Sequence, residues 1–160
     1  SARRRRKLFY ALMVIALLVA DQISKLWAAQ SLSAPIDVIP GFLAFTYAEN
    51  RGAAFGIMPD MQPVFIIMSI VFAIIVSIYL TKRQHSRPVL AQLGGWLAVT
   101  GAIGNMIDRA LRAYVIDFIY AYGINFPVFN LADVCLTLGA ILVVIYLLFF
   151  SGRAHDGAEE

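Results

Sequence analysis

The sequence predicts an all-α membrane protein, with four transmembrane helices and a small extracytoplasmic β-cradle or loop region. Three observations predict it. Of 160 residues, 61% are hydrophobic and only 14% charged, whereas a soluble domain carries about 25% charged residues. Four windows are apolar and long enough to cross a hydrocarbon core, which needs about 20 helical residues. Between the first two lies DVIPGFLAFTYAENRGAAFG, where Val38, Phe42, Phe45 and Tyr47 favour extended structure and Pro40-Gly41 marks a turn. The length fits one integral membrane domain over 1–160.

The first window, about 8–27, reads LFYALMVIALLVADQISKLW. It is long for the apolar region of a cleavable leader, and no Ala-x-Ala pattern follows it, so it is expected to stay as a span. The second, about 64–80, is VFIIMSIVFAIIVSIYL, without a charge. The third, about 89–107, is the weakest as a span because it contains four glycines. The fourth, about 131–150, is LADVCLTLGAILVVIYLLFF.

Basic residues set the orientation. RRRRK at the start, KRQHSR between spans two and three, and Arg153 in the tail hold nine of the 13 lysines and arginines. Both termini are therefore expected in the cytoplasm, with outer loops at about 28–63 and 108–130. A net charge of +3 could suit nucleic acid, but the basic residues sit at segment ends, which fits anionic headgroups and topology instead. No nucleic-acid partner is expected. Cys135 is the single cysteine, so it forms no disulfide within the chain and reads as small apolar filler. His85 and His155 both fall outside the spans, which removes Ser–His, Cys–His and zinc–His chemistry from the membrane.

This orientation gathers polar residues at the outer ends. Asp21 and Lys25 come from span one, Asn105, Asp108 and Arg109 from span three, Asn130 and Asp133 from span four, and Glu49, Asn50, Arg51 and Asp117 from the loops. Seven of the ten acidic residues fall on that side. A charged group at membrane depth costs about 2.5–3.5 kcal/mol on insertion scales, so such a cluster reads as a functional site. Arg112, Asp37 and Asp60 read as ordinary interfacial charges. Asp21 and Lys25, four apart, can pair on one helix face. Arg109 could neutralise Asp108 or hold another carboxylate ionised.

Asn130 can cap the fourth helix, whose positive dipole end faces Asp133. Asp117 sits in apolar VIDFIY, where desolvation should raise its pKa. Two such carboxylates brought together share a proton; one can activate water while the other protonates a leaving group. A proton pathway in a small ion-coupled transporter would use the same residue types, and a polar face that binds a partner protein is a further reading. The apolar cytoplasmic halves of spans two and four count against a through path.

DQISK (21–25), ENRGAAFG (49–56), GNMIDR (104–109), VIDF (115–118) and FNLAD (129–133) occur in that order. Together they resemble the bacterial lipoprotein signal peptidases, or signal peptidase II, over roughly 8–150. The resemblance implies an intramembrane aspartyl endopeptidase that needs no metal or cofactor. Its partners would be diacylglyceryl-modified prolipoproteins, cut just before the lipidated cysteine, and membrane phospholipid. It further implies a monomer in the bacterial inner membrane with its site near the extracytoplasmic face. Carried over by motif, Asp117 and Asp133 are the catalytic pair. Asp21, Lys25, Asn50, Gly52, Asn105, Asp108, Arg109 and Asn130 match supporting or substrate-binding positions. Glu49 stands where many members have Asn.

Overall fold

The computed structural model describes residues 2–52, 57–58, 60–82 and 88–150. Expectations that concern 53–56, most of KRQHSR with His85, and the tail with Arg153 and His155 lie outside the described residues. The chain forms α1 (Ala2–Ser31), β1 (Ile36–Ile39), β2 (Leu43–Asn50), α2 (Gln62–Lys82), α3 (Val89–Arg112), β3 (Val115–Tyr120) and α4 (Leu131–Phe149). Each of the four helices is long and apolar enough to cross a membrane. Helix α1 runs past its apolar window at both ends, and at its C-terminal end Ala28 is fully buried in a cluster with Leu32, Ile116 and Phe118.

The helices turn apolar side chains outward. Leu12, Ile15, Val19 and Ile23 of α1 and Ile67, Met68, Ile74 and Ile75 of α2 are all exposed, as lipid-facing residues must be. The buried stripe of α1 is instead Tyr10, Asp21, Lys25 and Ala28. Polar residues in a membrane helix turn inward because hydrocarbon cannot solvate them.

Helix α3 lies at the centre of the bundle, with most of its apolar window buried while the other three helices expose theirs. The four glycines that make it the weakest span in sequence explain this position. Small residues let membrane helices approach closely enough for backbone packing. A Cβ added at Gly101 would lie 2.3 Å from the Ala132 carbonyl oxygen, and one at Gly139 would lie 2.6 Å from the Ala98 nitrogen and the Gly94 carbonyl oxygen. The α3–α4 seam is therefore a backbone-to-backbone contact.

At one end of the bundle the strands form an antiparallel sheet in the order β1-β2-β3. Gly41 makes the β1–β2 turn in the left-handed region, φ 79°, a conformation glycine adopts without steric cost. An aromatic cluster docks the sheet on α1. Trp27 lies 5.6 Å from Phe45 and 6.2 Å from Phe118, edge-on to each, and Phe45 and Phe118 are 5.9 Å apart. Beyond β3 the chain folds back along it. Phe129 exchanges backbone hydrogen bonds with Ile119 at 2.8 and 3.0 Å. That return strand delivers Asn130 and the start of α4 beside Asp117.

Candidate active site

Asp117 is carried by β3 and is 3% exposed. Its Oδ2 accepts a hydrogen bond from Asn50 Nδ2 at 3.2 Å, and its Oδ1 accepts one from Asn130 Nδ2 at 2.7 Å. The register explains the first of these. Ala48 lies opposite Asp117 and Asn50 opposite Val115, so Asn50 reaches Asp117 along the diagonal of the β2–β3 ladder. Gly52 N–H donates to Asn50 Oδ1 at 3.0 Å and fixes that amide's sense.

Asp133 occupies the first turn of α4 within a capping box. Its N–H donates to Asn130 Oδ1 at 2.9 Å, and its Oδ2 accepts from Asn130 N–H at 3.2 Å. Its Oδ1 accepts from Asn105 Nδ2 at 2.7 Å. Asn130 thus holds both aspartates: the side-chain amide donates to Asp117, and the backbone N–H donates to Asp133.

Both carboxylates line one cavity of about 730 Å³, within the usual size range for a ligand site, together with Asn50, Asn105 and Arg109 at its polar end. Phe65, Met68 and Phe72 of α2 and Val134 and Leu138 of α4 form apolar walls. Met68 is 62% exposed and Leu138 48%, so the walls continue onto the lipid-facing surface. Burial pushes the Asp117 carboxyl up from its ordinary 3.8 to about 7; the Asp133 charge adds to this, and the Asn50 and Asn130 amides oppose it.

The remaining residues singled out in the sequence divide into two groups. Arg109 reaches the cavity: its Nη2 donates to the Gly52 carbonyl at 3.1 Å, and its guanidinium sits 5.1 Å from the Phe65 ring centre. It forms no ion pair with Asp108. Asp108 is met instead by Lys25 at 3.0 Å and by Arg112 at 3.0 Å. Arg112, read in the sequence as an interfacial charge, is 20% exposed and reaches the buried Asp108 from the rim of the cluster. The i, i+4 spacing from Asp108 carried that signal.

Lys25 also pairs with Asp21 at 2.9 Å. Gln22 was not singled out, although it lies within DQISK. Its amide donates to both Asp21 and Asp108 at 3.1 Å. Glu49 pairs with Arg51 at 3.0 Å on an exposed part of β2 and is not among the cavity residues. Asp37 is exposed and accepts from Tyr122 at 3.3 Å. Asp60 is exposed as well, whereas Cys135 is buried.

The model for Signal peptidase (SPase) II matches residues 13–149. The chain belongs to the signal peptidase II family. It is 39% identical over 154 residues to the lipoprotein signal peptidase of Clostridium tetani (strain Massachusetts / E88), covering 93% of this chain and 95% of that one. It is 37% identical over 151 residues to the lipoprotein signal peptidase of Clostridioides difficile (strain 630), covering 92% and 100%. A solved bacterial membrane enzyme, determined by the in meso method at 2.3 Å, superposes with a TM-score of 0.81 at 35% identity over 88% of this chain and 87% of that one. A second, at 1.9 Å, gives 0.78 at 34% over 89% and 94%. The chain is thus a multi-pass membrane peptidase of an aspartic class that processes prolipoproteins. The transporter and scaffold readings give way to an enzyme.

Asn130 is the point where family and geometry can be tested with one substitution. Asn130→Ala removes the helix cap to the Asp133 N–H, at about 1 kcal/mol, and the side-chain donor to Asp117, while the backbone N–H that donates to Asp133 remains. The expected result is a modest fall in thermal stability with a loss of cleavage on the order of 100-fold. Melting temperature and kcat on the same preparation check both halves.

Proposed function

We propose that this signal peptidase II is an intramembrane aspartyl endopeptidase in which Asp117 and Asp133 share the work of hydrolysis. Its substrate is a prolipoprotein whose cysteine already carries diacylglycerol, and the bond broken lies just before that cysteine. The observation that carries the reading is two aspartates held by one asparagine at the polar end of an apolar-walled cavity. The signal helix and acyl chains would enter laterally between α2 and α4, where Met68 and Leu138 face outward.

The chemistry follows from two carboxylates sharing one proton. Asp133, at the positive end of α4, acts as base and takes a proton from water as it attacks the scissile carbonyl carbon. Asp117, raised to about 7, carries the shared proton and donates a hydrogen bond to the carbonyl oxygen. Asp133 then passes the proton gained from water to the departing amine as the tetrahedral intermediate collapses. The pair titrates as a unit. The enzyme acts as a monomer in the bacterial inner membrane, with both termini cytoplasmic and this site near the extracytoplasmic face. Phospholipid fills the apolar walls when substrate is absent.

The test is a gel-shift assay on a diacylated prolipoprotein and its unlipidated form, followed across pH. Cleavage is expected only of the lipidated form, with the new N-terminus at the lipidated cysteine by mass spectrometry. The sign of the alkaline limb follows from the raised pKa. Asp117 holds its proton below about 7 and loses it above, so kcat/KM falls as pH rises through that region, approaching tenfold per unit. A rate that keeps rising to pH 9, or equal cleavage of the unlipidated form, contradicts the reading.

A further inference from the structure

Asp21, Lys25 and Asp108 do not line the cavity, yet they are 2%, 0% and 0% exposed. A buried ion cluster of this kind need not stabilise the fold, because desolvation opposes the attraction between charges. Its far ends are specific. Asp21 Oδ1 accepts from the Ala132 N–H at 2.9 Å, and Asp108 Oδ2 accepts from the Ile116 N–H at 3.1 Å. Ala132 and Ile116 each immediately precede one aspartate of the dyad. Lys25 Nζ spans the two acids, 2.9 Å from Asp21 and 3.0 Å from Asp108. One ammonium therefore ties the segment bearing Asp133 to the segment bearing Asp117.

The third hydrogen of Lys25 goes to Asn105 Oδ1 at 3.1 Å. An ammonium only donates, so it dictates which end of the Asn105 amide faces it. The NH₂ of Asn105 is left to donate to Asp133. The same Asn105 Oδ1 also accepts from Asn130 Nδ2 at 3.1 Å. That turns the Asn130 NH₂ toward Asp117 and leaves its Oδ1 for the Asp133 N–H. Lys25 thus sets the sense of the Asn105 amide directly, and through it supports that of Asn130, which the Ile116 carbonyl and the Asp133 N–H also orient.

We propose that Lys25 is a positioning residue, which with Asp21 and Asp108 forms a buried brace that fixes the spacing of the two aspartates and the polarity of Asn105, and through it supports that of Asn130. The proposal rests on the dyad reading above. It excludes contact between Lys25 and substrate.

The single change Lys25→Met leaves Asp21 and Asp108 without their shared cation, so folding is the first casualty expected. The charge-balanced pairs Asp21→Asn with Lys25→Met, and Asp108→Asn with Lys25→Met, each remove one positive and one negative charge. They also keep an acceptor for the backbone N–H. In purified full-length protein, at least one pair is expected to fold and to keep KM for the diacylated substrate within about threefold, while kcat falls about 100-fold, as for misplaced reacting groups. A folded pair with wild-type kcat overturns the brace, as does a rise in KM at unchanged kcat, which would mean substrate contact. Loss of fold in both pairs assigns the cluster to stability alone and also overturns it. Asp117→Asn, run alongside, reads the dyad separately. If it still cleaves, the dyad reading fails and the brace with it; if it is inactive while a folded pair cleaves normally, only the brace fails.

Discussion

Asp117→Asn and Asp133→Asn are each expected to abolish cleavage of a diacylated prolipoprotein, with losses on the order of 10⁴-fold or more, while the protein still folds. The chemical reason is that an amide cannot take a proton from water, and although its N–H can donate to a carbonyl oxygen, it has no acidic proton to share between the two side chains. The structural reason for survival is the close match in shape. Each oxygen of Asp117 accepts from an asparagine amide, so the new NH₂ meets one donor, a penalty of about 1–3 kcal/mol. Against that, the substitution removes a carboxylate 3% exposed, whose charged form is costly there. Melting temperature and KM distinguish a folded, inactive enzyme from an unfolded one. Retained turnover in either variant would remove that residue from the reaction.

Gly101→Ala is expected to have the largest effect on stability of any alanine substitution at a glycine. The new Cβ would stand 2.3 Å from the Ala132 carbonyl oxygen and 2.8 Å from the Leu136 nitrogen, both backbone atoms of α4. Backbone cannot rotate aside, so the helices must separate. Overpacking costs about 1–3 kcal/mol even where side chains can move, and this site should exceed that. Because Ala132 adjoins Asp133, the displacement also reaches the dyad, and cleavage is expected to fall with stability. Gly95→Ala is the contrast. There the nearest atoms are the terminal carbons of Leu80, the closest at 2.8 Å, and a leucine side chain can shift. A loss of about 1 kcal/mol or less is expected, with cleavage unchanged. Thermal unfolding of the two variants in one detergent checks the difference. Equal losses would show that the α3–α4 seam is not rigid.

The four helices were legible because hydrocarbon imposes a simple requirement on length and polarity, which windows such as VFIIMSIVFAIIVSIYL meet. The turn at Pro40-Gly41 was legible for an equally local reason. The role of α3 was not. Its glycines lower its apparent fitness as a span, and only packing against α4 shows that they make it the central helix. The clustering of Asp21, Lys25, Asn105, Asp108, Asn130 and Asp133 at one end followed from orientation and depth. Partner choice within the cluster did not. Asp108 and Arg109 are adjacent in sequence, yet α3 turns one toward α1 and the other toward α2 and the cavity. Spacing of three or four residues defines a face, and a face wide enough to touch two neighbours does not say which one each residue meets. Gln22 escaped notice for that reason, and Arg112 was read as an interfacial charge with no link to Asp108. The return of Phe129 along Ile119, which brings Asn130 to Asp117, is a long-range pairing with no local sequence signature.

The most direct measurement is a structure of the enzyme with a diacylated peptide whose scissile amide is replaced by a hydroxymethylene group, which resembles the tetrahedral intermediate. The expected result is its hydroxyl between Asp117 and Asp133, within about 2.6–3.2 Å of an oxygen of each. A hydroxyl bound to one carboxylate with the other turned away, or a peptide seated elsewhere in the cavity, would contradict a shared-proton mechanism.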